Sequence, residues 1–379
     1  MSTYRPTRVD IDLGALAHNV ARLRESVAPA SVMAVVKADA YGHGAGPVAR
    51  VALSAGATSL GVALVEEGVE LRDAGIDAHI LVLSEPVPDA AAEVVARRLT
   101  PVVYTDAGVD ALAKAVADQG GEPLGLHVKV DTGMHRVGVR PSAVDALVDR
   151  IADHPELRLA GLCTHFAVAD ELDRPDTADQ LERFSAVLAR LHERGIAAEC
   201  VHAANSAAAI GVPEARLDLV RVGIAMYGVL PAPGLGAELG LRPVMALRSQ
   251  VSFVKSLRAG DRLSYGLRYE LPRDARIATV PIGYADGVVR NLGATGAEVI
   301  IRGTRCPIAG TVTMDQLMVD VGDLPVEVGD CVTLLGSDGD AVVTAEEWAE
   351  RLGTIGYEVV CGIGPRVPRH YHDGDGVDG

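Results

Sequence analysis

The chain has 379 residues, of which 49% are hydrophobic and 23% charged, enough for two domains with complete cores in the soluble globular class. A net charge of −16 and an isoelectric point near 5.1 exclude the basic surface that nucleic-acid binding needs. Mean hydropathy is high at +0.21, yet no apolar run approaches the ~18–20 residues of a membrane span. Cys163, Cys200, Cys306, Cys331 and Cys361 are odd in number, widely spaced and form no CxxC pair, and Met1-Ser2-Thr3-Tyr4-Arg5-Pro6 lacks an apolar signal region. Reduced thiols and a cytoplasmic location are therefore expected.

The opening Arg8-Val9-Asp10-Ile11-Asp12 alternates as a strand does and could join either of two domains. Strand-like stretches then follow at 32–36, 59–63, 79–83, 102–105, 124–130, 159–164, 199–203 and 217–222, with helical patterns between them, as at 65–74 and 177–194. Eight strand–helix units predict an α/β fold, a (β/α)8 TIM barrel, over an open doubly wound sheet, and neither GxGxxG nor a P-loop favours the open sheet. After about residue 240 short strands come at close spacing, at 246–254, 276–281, 298–301, 304–308, 317–321 and 330–335, separated by turns such as Ala259-Gly260-Asp261. That pattern predicts a mostly antiparallel β domain. The expected division is 13–240 for the barrel and 241–379 for the β domain, with 1–12 joining the latter. The tail from His372 to Gly376 is acidic and glycine-rich and is expected to be disordered.

Lys37 closes the first apolar run and precedes Ala38-Asp39-Ala40-Tyr41-Gly42-His43-Gly44, a glycine-bounded stretch that reads as a loop before a helix. The exit of a buried strand is where α/β folds place chemistry. An ammonium there loses hydration, its pKa falls, and the neutral amine can form a Schiff base with pyridoxal phosphate. A surface or ion-paired lysine is the competing reading. The other lysines are Lys114, in a helix-like stretch, Lys129, and Lys255, after a strand of the second half. Strand exits also gather Tyr41, Lys129, Asp131, Arg136, His165, Asn205, Ser206, Arg221, Gly223 and Ile224 at one mouth. Loops after the last two barrel strands commonly hold phosphate on backbone amides, a role open to Ser206 with Gly223 and Ile224. Ser206 could equally be a helix cap. Arg221 alternates with apolar neighbours and could point into the barrel, or form a structural ion pair.

The sequence resembles the alanine racemase family along nearly its whole length. The motifs are Ala34 to Gly44, Lys129 to Gly138, and Arg221 to Gly228 in the barrel. In the second half they are Ser264-Tyr265-Gly266, Ile282 to Gly287, Gly310 to Gln316, and Tyr357-Glu358-Val359. The resemblance implies a pyridoxal 5′-phosphate enzyme interconverting L- and D-alanine, which supplies D-alanine for peptidoglycan. It implies that Lys37 carries the cofactor and that Tyr41, Ser206, Gly223, Ile224 and Tyr357 bind its phosphate. Arg221 would face the pyridine nitrogen and Arg136 the phenolic oxygen, with Lys129 a candidate for carbamylation. Tyr265 would be the second base, supported by His165. Tyr265, Tyr284, Met314 and Asp315 would reach the substrate from the partner subunit of a head-to-tail homodimer, with Arg136 also touching it. Racemisation fits these residue types, because two bases must flank a carbon that loses a proton from one face and regains one on the other.

Other readings are a serine or broad-spectrum racemase and a basic amino-acid decarboxylase of the same plan. The decarboxylases' glycine-rich phosphate loop and late cysteine–aspartate pair are not found here. A metal-dependent barrel hydrolase would use His127, His165, His202 and a carbamylated Lys129, but lacks a paired His-x-His on the first strand. A non-catalytic cofactor carrier is disfavoured by the Ser264-Tyr265-Gly266 motif.

Overall fold

The computed structural model describes residues 4–374. The first strand, β1 (Arg8–Asp12), ends at Asp12, whose carboxylate accepts from the Ala15 amide at 2.8 Å and caps the helix Leu13–Val27. Eight parallel strands follow: β2 (Ser31–Val35), β3 (Ser59–Val62), β4 (Ile80–Val82), β5 (Thr100–Val103), β6 (Leu124–Lys129), β7 (Leu157–Cys163), β8 (Cys200–His202) and β9 (Leu219–Val222). They pair in the order β8-β7-β6-β5-β4-β3-β2-β9. The remaining seam closes through the Asp218 amide to Val201 O at 3.1 Å and the Arg221 amide to Ala204 O at 3.0 Å. Helices such as Val65–Asp73 and Asp176–Glu193 return the chain between strands. Valine, leucine and isoleucine dominate the strands because both faces are covered, the inner one by the barrel's own side chains. Met33, Leu81, Val102, Cys163 and Leu219 form a buried cluster of their own in the interior. All eight expected strands are present, each end displaced by no more than two residues.

The second half is two sheets and a hairpin. Met245–Gln250, Cys331–Asp338, Glu298–Ile301, Thr304–Pro307, Ala341–Val343 and Arg369–His372 join β1 in one sheet, in which β1 pairs antiparallel with Met245–Gln250 and parallel with Arg369–His372. Phe253–Leu257, Ala275–Val280 and Leu317–Gly322 form the other. The single strand expected at 246–254 is therefore two. The chain changes sheets at Val251-Ser252, where the Val251 amide bonds to Asp330 O at 2.9 Å and the Ser252 amide to Thr279 O at 2.8 Å. Alternation persists through that crossing, so the pattern alone could not reveal it. Lys255 lies inside Phe253–Leu257 rather than after a strand. His372 ends a strand, and the expected disorder beyond Gly374 falls outside the described residues. No helix among the described residues is long and apolar enough to cross a membrane.

Candidate active site

Lys37 stands just past the end of β2, and the segment after it is neither an ordinary loop nor a right-handed helix. Ala38, Asp39, Ala40 and Tyr41 have φ of 52°, 50°, 53° and 55°, a left-handed turn. Such backbone costs a residue with a β-carbon roughly 1–2 kcal/mol, so four in a row need outside support. Glu67 supplies part of it. One carboxylate oxygen accepts from the Ala38 amide at 2.6 Å, the other from the Ala63 and Leu64 amides at 2.7 and 3.1 Å. Asp39 accepts from the Ala45 amide at 2.7 Å, and Arg369, from the other domain, donates to Gly42 O at 3.0 Å. The turn drives Tyr41 inward, to 8% exposure.

The mouth around Lys37 is rich in cations. Burial first, then the charges of Arg136 and Arg221, lower the Lys37 pKa, while Glu67 and Cys361 oppose the shift. Lys129, at the end of β6, is lowered mainly by burial, with Arg221, Arg136 and Lys37 adding to the effect. Arg136, Lys129 and His165 line one crevice. Asp131 shapes the Arg136 loop by accepting from the Gly133 and His135 amides at 3.1 and 2.9 Å. His165 is held through its carbonyl, which accepts from Gln180 at 3.1 Å.

Arg221, on β9, is buried, and its acceptors are all neutral. Nη2 donates to Thr164 O at 2.9 Å, Ala203 O at 2.8 Å and His165 Nδ1 at 3.1 Å; Nη1 donates to His202 Nδ1 at 2.8 Å. The ion-pair alternative does not hold, since the partners of Arg221 among the described residues are carbonyl oxygens and imidazole nitrogens rather than carboxylates. All four bonds use the terminal nitrogens, which leaves Nε–H for a ligand.

On the same mouth lies a set of hydroxyl and amide donors. Ser206 is not the cap of its helix; Asn205 is, accepting from the Ala208 amide at 3.0 Å. Ser206 Oγ instead accepts from the Gly223 and Ala225 amides at 3.0 and 3.4 Å, so its own proton is free to donate. Ile224 sits between those amides and is buried. Tyr41 packs between Tyr227 and Tyr357, ring centroids 5.1 and 6.2 Å away. Burial raises the hydroxyl pKa values of Tyr41 and Tyr357, Tyr41 strongly and Tyr357 to about 12, so both remain protonated donors. A β-carbon at Gly223 would stand 2.5 Å from Tyr41 Oη, so the phenol occupies space that only glycine leaves open.

Tyr265, Tyr284, Met314 and Asp315 stand apart from this cluster on loops of the β domain. Tyr265 is 70% exposed in the turn between Arg262–Leu263 and Tyr269–Glu270, and Met314 and Tyr284 are 52% and 40% exposed. Their loops are tied together, with Thr311 Oγ1 donating to Tyr265 O at 3.1 Å and the Tyr284 amide to Thr313 O at 2.9 Å. The exposed side chains thus share one surface. Asp315 pairs with Arg366 at 2.8 Å. Sequence reasoning passed over Glu67, Gln180, Tyr227 and Arg369. The first three hold or pack against residues it did single out, across distances no local pattern encodes.

An eight-stranded barrel with a desolvated lysine and a set of hydroxyl and amide groups at its mouth, joined to a β domain, defines a two-domain barrel protein. The family model described as alanine racemase, N-terminal domain, matches residues 11–231, and the C-terminal domain matches 244–371. The chain belongs to the alanine racemase family. It is 46% identical to the alanine racemase of Symbiobacterium thermophilum over 372 residues, 97% of each chain. The Thermobifida fusca relative is 43% identical over 383 residues, 98% of this chain and 99% of that one. Among solved structures, alanine racemase from D-cycloserine-producing Streptomyces lavendulae superposes with a TM-score of 0.92 at 40% identity, over 99% of both chains. The Bacillus anthracis enzyme with bound L-Ala-P has a TM-score of 0.92 at 39% identity, over 99% of this chain and 97% of that one.

Proposed function

We propose that this protein is a pyridoxal-phosphate-dependent alanine racemase that interconverts L- and D-alanine, the D-enantiomer serving peptidoglycan synthesis. The observation that carries this reading is a lysine of lowered pKa, Lys37, on the same mouth as donors that suit a phosphate. Tyr41, Tyr357, the Ser206 hydroxyl and the Ile224 amide would hold that phosphate, with Gly223, whose own amide is bound to Ser206 Oγ, leaving room for the Tyr41 hydroxyl beside it. Arg221 Nε–H would meet the ring nitrogen and Arg136 the phenolic oxygen and substrate carboxylate, with Lys129, carbamylated, steadying Arg136. Gly223→Ala should push the Tyr41 hydroxyl aside and weaken cofactor affinity about 10-fold or more, read by equilibrium dialysis, with the fold intact by circular dichroism.

When bound, the cofactor draws electron density from the α-carbon of an attached amino acid, so that its hydrogen can leave as a proton. Lys37, whose ammonium form burial and neighbouring cations disfavour, would take or return that proton on one face. Tyr265 of the partner subunit would serve the other face, backed by His165. Its exposure in a single chain, on one surface with Tyr284 and Met314, suits presentation to a second copy in a homodimer. Arginine cannot accept a proton, so Arg221 would leave the ring nitrogen unprotonated and restrain the cofactor's electron withdrawal. His127 and His202 spend their facing nitrogens on each other and on Arg221, which disfavours the metal-hydrolase alternative.

The test is Tyr265→Phe in heavy water. Alanine enantiomers have an equilibrium constant of one, so net racemisation must fall equally in both directions, by about 10²–10⁴-fold for loss of one acid–base group. Exchange should nevertheless persist for the single enantiomer whose α-hydrogen faces Lys37. Equal retention of exchange by both enantiomers would refute the two-base assignment.

A further inference from the structure

The bond from Arg221 to His202 does not end there. His202 Nε2 lies 2.8 Å from His127 Nδ1, so Arg221, His202 and His127 form one line through the barrel interior. Arginine offers no acceptor, so His202 Nδ1 must accept and carry no proton. The proton of neutral His202 then sits on Nε2 and is donated to His127 Nδ1. His127 in turn keeps its proton on Nε2. His127 also lines a cavity of ≈ 440 Å³ at the opposite end of the barrel from Lys37, together with Ser59, His79, Cys200 and Asp218. Every hydrogen bond in the line therefore has one polarity from mouth to floor. The line is also tightly housed. His127 is 3% exposed and His202 fully buried, and a β-carbon at Gly161 would collide with His127 Nδ1, so β7 carries glycine where the imidazole lies. Burial, with the charge of Arg221, keeps both imidazoles far below their ordinary 6.5, His127 at about 3.

We propose that His202 and His127 are positioning residues, a chain of fixed tautomers that grips Arg221 by Nη1 and so aims its free Nε–H at the cofactor's ring nitrogen. This rests on the racemase reading above. Nη2 is already bound to the strand ends, so Nη1 is the second point that stops the guanidinium from turning. His127 acts on Arg221 only through His202, by accepting the proton that keeps His202 in the required tautomer.

The proposal is tested on the holoenzyme with His202→Leu, His202→Asn and His127→Leu. His202→Leu removes the acceptor; kcat should fall about 10–100-fold with KM within about threefold, and the cofactor's visible band should shift. His202→Asn places an amide oxygen where Nδ1 was and should recover most of kcat and the parent band. His127→Leu should produce a smaller loss, about 10-fold or less, with a band shift in the same direction. Long-range nitrogen–proton correlation spectra of the unsubstituted holoenzyme should show Nε2–H tautomers for both histidines across pH 6–8. Parent-like kcat and absorption in folded His202→Leu, or an Nδ1–H tautomer at either histidine, would overturn the proposal. If His202→Leu does not fold, the asparagine variant and the tautomers decide: a loss in His202→Asn as large as in His127→Leu counts against it. Absence of racemisation in the unsubstituted protein would instead sink the functional reading, while the tautomer result stands by itself.

Discussion

Lys37→Arg will abolish racemisation in both directions, by at least about 10⁴-fold, the upper end of what one positioned acid–base group contributes. Arginine keeps the positive charge but stays protonated at any working pH, so it can neither attack a carbonyl nor take up a proton. Lys37 has the opposite character, because burial and the neighbouring Arg136 and Arg221 disfavour its ammonium form. The loss should come without unfolding. Lys37 is only partly buried, and the turn after it is held by Glu67, Asp39 and Arg369, none of which uses the lysine side chain. Two measurements separate chemistry from structure: the visible band of a lysine-bound cofactor should vanish, while thermal unfolding of the cofactor-free variant should match the cofactor-free parent. Racemisation above a hundredth of the parent rate would remove Lys37 from its proposed role.

Much of this site was legible in the chain before its structure. Parallel barrel strands bury both faces, so Val32 to Val36 and the runs after it had to be apolar, and polar residues just past their ends were marked out by contrast. That placed Lys37, Lys129, His165, Ser206 and Arg221 on one rim. The left-handed turn was not legible, because alanine, aspartate and tyrosine all favour the right-handed form. Its causes are Glu67 and Arg369, which lie 29 residues from Ala38 and 327 from Gly42 in sequence. Ser206 looked like a cap because it opens a helix, yet Asn205 holds that position and frees the serine hydroxyl. His127 and His202 stood out only as candidate metal ligands. Proximity to strand exits was all the sequence offered for them, and their burial and their partner, an arginine on another strand, are tertiary facts. The role assigned to Tyr265 could be read only through resemblance, since an exposed tyrosine in a turn carries no signal of its own.

Acid will destabilise this protein well above the range in which its carboxylates titrate. His43, His127, His165 and His202 are all held below the ordinary 6.5, chiefly by burial, His43 at about 4 and His127 at about 3. His43 is enclosed with its ring stacked on Tyr227 at 4.4 Å, and its Nε2 has no hydrogen-bond partner among the described residues. The folded chain therefore refuses protons that the unfolded chain accepts once pH drops below 6.5. Stability present above that value is lost progressively as pH falls, until the histidines charge in the folded state as well. Each group contributes about 1.4 kcal/mol per pH unit in that window, so four together give a slope of roughly 5 kcal/mol per unit. A typical domain has about 5–15 kcal/mol in total, so one to three units of acidification below 6.5 should unfold it. Asp131, Asp145 and Asp330 are lowered below 3.8 by their hydrogen-bond partners and lose their contribution only at still lower pH. Urea midpoints measured between pH 7.5 and 4.5 should be flat at first and then fall steeply below 6.5. His127→Asn, which removes one of the four groups, should lessen the slope by about a quarter even though it lowers stability at neutral pH. A midpoint unchanged between pH 7 and 5 would mean that these imidazoles take up protons in the folded barrel, and the neutral line from Arg221 to His127 would then be lost with them.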